Sequence, residues 1–190
     1  MKNIAVFASG GGSNADKICE YFSTSKEISV SLCISNRQES NLKKISKSHN
    51  INYLFIEKDQ QNNSDFLLKK LNENKINFIV LAGYLKKIPV DIVSVYKNKI
   101  INIHPSLLPK HGGKGMYGLN VHSAVLNAKD KTSGITIHYV NNDYDKGKVL
   151  FQASLAVELN DSAISLSQKI QELEHQHYAS TIEKTILLKK

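Results

Sequence analysis

The sequence predicts an α/β fold: a mostly parallel sheet of about seven strands with helices on both faces. Three observations carry that prediction. Short apolar runs of β type alternate with helical patterns along the 190 residues. The early strands read as continuous apolar stretches, as in Phe78-Ile79-Val80-Leu81, which suits strands covered on both faces. A glycine turn, Ser9-Gly10-Gly11-Gly12-Ser13-Asn14, joins the first strand directly to the first helix. Strand–helix alternation requires crossover connections, and these are right-handed and give parallel pairing.

The elements follow in order. Met1-Lys2-Asn3 runs straight into Ile4-Ala5-Val6-Phe7-Ala8, a first strand over 3–8 rather than a signal peptide. A helix over 13–23 comes next, with Ser13 or Asn14 as its cap. Strands are expected over 28–35, 51–56, 77–82 and 100–103, with helices over 40–48, 62–74 and 89–96 between them. A helix over 119–128 precedes two last strands, 134–140 and 148–157, and a long helix over 162–186 closes the chain. The last two strands are separated by Asn141-Asn142-Asp143-Tyr144-Asp145-Lys146-Gly147, too short for a crossover helix. The sheet is therefore parallel first and antiparallel at one side.

Length and composition exclude several classes. The chain suits one domain, 1–190, with a phosphate-binding half at about 1–100 and a second half at about 101–190. No apolar run approaches the ~20 residues of a membrane span, so no membrane partner and a cytoplasmic location are expected. Cys19 and Cys33 sit in apolar stretches and read as buried thiols of a reducing compartment. The formal charge is +8, yet of the 25 basic residues only Arg37 is an arginine, and the lysines are spread along the chain. Phosphate and base recognition favours the arginine fork, so no nucleic acid is expected. The oligomeric state, monomer or homodimer, stays open.

The glycine turn sits where free N–H groups and a helix N-terminus attract an anion, which makes Gly12, Ser13 and Asn14 a phosphate seat. Gly10-x-Gly12-x-x-Ala15 also fits a loose dinucleotide fingerprint. That fingerprint needs an acid at the end of the second strand to grip the ribose, and here the strand ends Ile34-Ser35-Asn36-Arg37. A phosphomonoester is favoured over NAD.

The stretch Ile100-Ile101-Asn102-Ile103-His104-Pro105 carries the chemistry. Pro105 stops the strand. Asn102 and His104, two apart, point to one face near its C-terminal end, where open α/β sheets place ligands. An amide that can donate to an oxyanion beside an imidazole that can move a proton suits acyl transfer. His138 faces the same region and reads as a packed neighbour. His175 and His177 point about 200° apart on a helix and do not share an ion.

Asn102-Ile103-His104-Pro105-Ser106-Leu107-Leu108-Pro109 resembles the hallmark of the folate-dependent formyltransferases. Ser9–Asn14, Leu81-Ala82-Gly83-Tyr84, Gly134-Ile135-Thr136-Ile137-His138-Tyr139-Val140 and Asp145-Lys146-Gly147 are similar to motifs of that family, in order and at its spacing. The resemblance implies a Rossmann-like formyltransferase fold. It also implies transfer of a formyl group from 10-formyltetrahydrofolate, a co-substrate, to the amine of glycinamide ribonucleotide, with no metal. It implies catalytic roles for Asn102, His104 and Asp145, and phosphate binding by Gly12, Ser13 and Asn14. Gln171 and Glu174 would hold the amine substrate. Leu85, Lys86, Lys87 and Ile88, with Asn102, Asn141, Asn142, Asp143, Tyr144 and Asp145, would hold the reduced folate.

Two departures from the family stand out. The segment Lys110–Gly118 is longer and richer in glycine than in some relatives, and is expected to form a mobile flap over the site. An arginine that some relatives use near the folate glutamate tail has no match around Asn63, so Lys86 or Lys87 is expected to stand in as the cation.

Overall fold

The computed structural model describes residues 1–188. Seven strands form one sheet in the order β3-β2-β1-β4-β5-β6-β7. They are β1 (Lys2–Phe7), β2 (Ile28–Ser35), β3 (Asn52–Phe55), β4 (Phe78–Leu81), β5 (Ile100–His104), β6 (Thr132–Tyr139) and β7 (Val149–Ala156). The helices are α1 (Ser13–Phe22), α2 (Asn41–Ser48), α3 (Ser64–Glu73), α4 (Val90–Val95), α5 (Leu119–Asn127) and α6 (Ala163–Leu187). Pairing is parallel from β3 through β5 and antiparallel for β5–β6 and β6–β7, so the expected mixed sheet is present.

Period-2 alternation of side chains builds two cores from the same strands. Ile4, Val6 and Ala8 face a core completed by Leu42 of α2, Val125 of α5, and Leu166, Ile170 and Ile182 of α6. Ala5 and Phe7 face the opposite core, with Leu67 and Leu71 of α3 and Ile92 of α4. Helices therefore cover both faces. Strand order reverses between β1 and β4, which opens a crevice at the carboxyl ends of the strands. The glycine turn leaves β1 there, and the segment after β4 leaves beside it.

Tyr178 ties α6 across that crevice. It is 1% exposed, and its hydroxyl lies 2.8 Å from the carbonyl oxygen of Leu81 and 3.2 Å from that of Ile101. This fixes α6 against the ends of β4 and β5, so the α6 residues one turn earlier are held over the crevice.

Three expectations change. β3 pairs with β2 alone, as the edge strand; Asn52 is exposed and Tyr53–Phe55 are half-buried, so the double-sided cover read for the first four strands fails there. The third helix starts at Ser64, not 62, because Asn63 accepts from the Phe66 N–H (2.9 Å) and caps it, while Gln60–Asn62 form a separate 3-10 turn. The first helix is preceded by Gly12 at φ 79°, with no side-chain cap; Ser13 and Asn14 are already inside the helix and turn elsewhere.

Gly134, in the centre of β6, has no room for a side chain. An added Cβ would overlap the carbonyl oxygen of Ala153 on β7 and the side chain of Leu107. Gly134→Ala should lower stability by about 2 kcal/mol or more, a fall of roughly 4–8 °C in Tm for a chain of this size. Gly10→Ala, where the methyl meets nothing within 4 Å, should stay within about 2 °C. Thermal denaturation followed by circular dichroism reads both.

Candidate active site

The site is assembled at the carboxyl ends of β1, β4 and β5. Ser9 organises its floor: Ser9 Oγ donates to Asn36 Oδ1 (2.6 Å), accepts from the Leu85 N–H (2.9 Å), and Ser9 N–H donates to the Gly83 carbonyl (3.1 Å). These bonds lock the glycine turn to the segment after β4. Gly12 is needed at its place twice over: its φ is left-handed, and an added Cβ would press on Ile45 of α2.

The turn also meets α6. Gln171 Nε2 donates to Ser13 Oγ (2.9 Å), and Asn14 Nδ2 donates to Glu174 Oε2 (2.7 Å). Asn14 Oδ1 is buried and has no partner among the described residues, so it offers an acceptor beside the expected anion seat. Glu174 is half-buried; desolvation pushes its carboxyl up to about 7, only partly offset by the Asn14 bond.

β5 supplies Asn102 and His104 on one face, and β6 is paired so that His138 lies opposite Asn102 and Thr136 opposite His104. His138 Nδ1–H donates to the Tyr139 carbonyl (2.9 Å). Its Nε2 is therefore an acceptor, and Asn102 Nδ2 donates to it (3.2 Å). This fixes which way the Asn102 amide faces. Burial pushes the His138 pKa down, which keeps the ring neutral and able to accept. Thr136 Oγ1 donates to the Ser106 carbonyl (2.7 Å) and accepts from the Leu108 N–H (2.9 Å), which pins the turn after Pro105.

His104 is 4% exposed. Its Nε2–H donates to the His111 carbonyl (2.8 Å), and its Nδ1 lies 3.6 Å from Asp145 Oδ2. Asp145 Oδ2 also accepts from the Gly113 N–H (2.8 Å), and Oδ1 lies 3.8 Å from His138 Nε2. The loop that delivers Asp145 is stitched by Asn141, which accepts from the Asp143 N–H (3.0 Å) and donates to the Lys146 carbonyl (3.1 Å). Gly147 closes it against the Tyr139 backbone, where any side chain would collide.

One cavity of about 680 Å³ joins these groups. Asn14, Asn102, His104, Asp145, Gln171 and Glu174 line it, as do Leu85, Lys86, Lys87, Ile88, Asn141, Asp143 and Tyr144. Lys87 Nζ lies 5.6 Å over the Tyr144 ring, so the two expected folate segments touch. Two expected residues stand back from the wall: Gly12 and Ser13 contribute backbone and a bond to Gln171. Asn142 is exposed and outside the cavity.

Sequence reasoning missed several groups. His122 of α5 is 4% exposed and lines the cavity; burial, and then the nearby His104, push its pKa down. His138 is more than a packed neighbour, since it orients Asn102. The segment expected as a flap forms the cavity wall from Gly113 through Gly118. A smaller groove of about 440 Å³ adjoins the cavity, sharing Leu85, Lys86 and Tyr117 with it and adding Arg37, Lys58 and Gln61. Among the described residues no group of three or more His, Cys, Asp or Glu side chains could hold a metal ion.

The formyl transferase family matches residues 2–182 of the chain. A chloroplastic phosphoribosylglycinamide formyltransferase of Arabidopsis thaliana is 40% identical over 187 residues, covering 95% of this chain and 64% of that protein. The chain thus spans less than two thirds of the length of that relative. The phosphoribosylglycinamide formyltransferase of Bacillus subtilis is 31% identical over 191 residues, covering 98% of this chain and 95% of the relative. A crystal structure of phosphoribosylglycinamide formyltransferase from Bacillus halodurans superposes with a TM-score of 0.87 at 32% identity, covering 100% of this chain and 96% of that one.

Glu174 makes a stability prediction with a definite sign. Below pH 4.5 its carboxyl is protonated folded and unfolded alike. As pH rises from 4.5 to about 7 the unfolded chain releases the proton and the folded chain keeps it, so stability falls. The loss should be on the order of 1–3 kcal/mol and complete above that window. Glu174→Gln, neutral throughout, should remove it. Urea denaturation of the ligand-free protein at pH 4.5 and pH 8 measures the difference; an equal fall in the variant would contradict the assignment.

Proposed function

The chain belongs to the formyl transferase family, and from that premise we propose that it transfers the formyl group of 10-formyltetrahydrofolate to the amine of N1-(5-phospho-D-ribosyl)glycinamide. The products are the N-formyl ribonucleotide and tetrahydrofolate, a step of purine biosynthesis. The observation that carries this reading is the approach of His104 Nδ1 to Asp145 Oδ2, 3.6 Å, in a cavity that Asn102, Asn14 and Glu174 also line.

The ribonucleotide phosphate sits on the N–H groups of Gly12, Ser13 and Asn14, at the positive end of α1. Gln171 and Glu174 face its ribose and amine. The pterin lies between Leu85–Ile88 and Asn141–Asp145. The glutamate tail runs toward the groove of Arg37, Lys58 and Lys86, and this supports a cationic anchor built without an arginine near Asn63. The two free, buried thiols, Cys19 and Cys33, fit a reducing cytoplasm.

The amine nitrogen attacks the formyl carbon, and the carbonyl π pair moves to oxygen. One N–H of Asn102 is committed to His138, and the other donates to the oxyanion. His104 Nδ1, beside the Asp145 carboxylate, takes the proton of the attacking nitrogen and then, as Nδ1–H, donates to the oxyanion as well. A proton leaves the attacking nitrogen and reaches N10 of the folate, relayed by His104 or by a water on Asp145. The C–N10 bond then breaks and the carbonyl reforms. No covalent enzyme intermediate is needed. Orientation of two bound substrates supplies at most about 7–11 kcal/mol of the acceleration.

An absorbance assay of folate deformylation, with glycinamide ribonucleotide beside other amino-bearing phosphates, tests the reading. Turnover is expected with the ribonucleotide. His104→Ala should lower kcat by about 10²-fold or more, and Asn102→Ala by about 10²–10³-fold. Turnover only with a different amine would move the acceptor, and an unchanged rate in His104→Ala would remove the mechanism.

A further inference from the structure

The turn between α5 and β6 holds a side chain that touches no part of the cavity but is bonded to a segment whose backbone reaches His104. Asp130 Oδ2 accepts from His111 Nε2 (2.8 Å), and Oδ1 accepts from Lys110 Nζ (2.9 Å). The Asp130 and His111 side chains are 17% and 15% exposed, while Lys110 is 68% exposed. Hydrogen bonds from His111, first, and from Lys110 hold the Asp130 carboxyl below its ordinary value, so it stays charged through neutral pH.

The backbone at the other end of this brace meets the reacting groups. His111 has φ 54°, a left-handed conformation that a residue with a Cβ adopts only when held. In that conformation its carbonyl oxygen accepts from His104 Nε2–H at 2.8 Å. Two residues on, the Gly113 N–H donates to Asp145 Oδ2 at 2.8 Å. The strap from Lys110 to Gly113 therefore touches both His104 and Asp145, and Asp130 is where its side chains are fastened. The strap's near end is fixed separately, by Ser106 Oγ donating to the Lys110 carbonyl (2.7 Å).

We infer that Asp130 is a positioning residue for His104: by tethering His111 it aims the His111 carbonyl at Nε2, commits that nitrogen's proton, and leaves Nδ1 as the nitrogen that serves the reaction. The inference rests on the formyl-transfer reading for its activity arm. The physical basis is general. Which imidazole nitrogen is available is set by the bond the other one makes. A brace that only stabilised the loop would not select between the nitrogens. Released from Asp130, His111 relaxes toward negative φ, the carbonyl rotates away, and the ring can turn or change tautomer.

The test combines kinetics with nitrogen NMR of protein carrying ¹⁵N-histidine. In the wild type, His104 should show its proton on Nε2. In Asp130→Ala the His104 nitrogen shifts should move toward a mixture of tautomers. Its kcat should fall by about 10-fold to 10²-fold with both KM values within about twofold. His111→Ala keeps the backbone carbonyl but loses the tether, so it should reproduce both changes; it carries the test if Asp130→Ala does not fold. Lys110→Ala, which removes only the exposed arm, should leave kcat within about twofold. Unchanged His104 shifts in the tethering variants would overturn the inference, as would a rise in KM without a loss of kcat. If the wild type transfers no formyl group, the proposed function fails, while the nitrogen shifts still decide whether Asp130 sets the ring.

Discussion

Everything in this site depends on holding one carboxylate near one imidazole across the antiparallel side of the sheet. His104 ends β5, and Asp145 lies in the loop between β6 and β7. Nothing local brings them together. The β5–β6 pairing sets the height of the loop, Gly147 lets it close on the Tyr139 backbone, and Asn141 stitches it so that Asp145 points inward. The resulting 3.6 Å separation sets the carboxylate beside the ring in a wall where both side chains are largely buried. It leaves Nδ1 uncommitted and free to exchange a proton with the reacting groups.

The parallel side of the sheet solves a different problem, which is where to open the cavity that the proposed reaction needs for two substrates. Reversal of strand order between β1 and β4 opens the crevice, and the glycine turn, the proposed anion seat, lies at one end of it. α6 crosses above, pinned by Tyr178 to the carbonyl groups of β4 and β5, so that Gln171 and Glu174 reach Ser13 and Asn14. A half-buried carboxyl with a raised pKa beside an acceptor that has no partner among the described residues is a costly arrangement. Sites tolerate such groups when a ligand satisfies them.

Much of this was legible in the sequence, because it depends on local pattern. Alternating apolar runs located all seven strands, and the step from Ile101 to Ile103 placed Asn102 and His104 on the other face of β5. The resemblance to formyltransferases singled out Asp145, Glu174 and the two segments expected to hold folate, and residues of all of these line one cavity. Register and chain reversal were not legible. His138 gains its part only because it lies across from Asn102, and Asp130 only because the turn after α5 returns to Lys110 and His111. Gly12 was read as part of an anion seat, but it directly precedes the helix, and the cap expected at Ser13 or Asn14 is not formed. Arg37, Lys58 and Lys86 come from three separate connections, and no spacing in the chain announces the groove they share.

The central claim is that His104 and Asp145 act as one unit, and a double-mutant cycle on the rate of formyl transfer in a single turnover tests it most directly. Groups that act together lose their effect together. Once His104 is replaced by alanine, replacing Asp145 as well should slow transfer by less than about threefold, although Asp145→Ala alone slows it at least tenfold. Losses that simply multiply would show that the two side chains work independently, and would contradict the account.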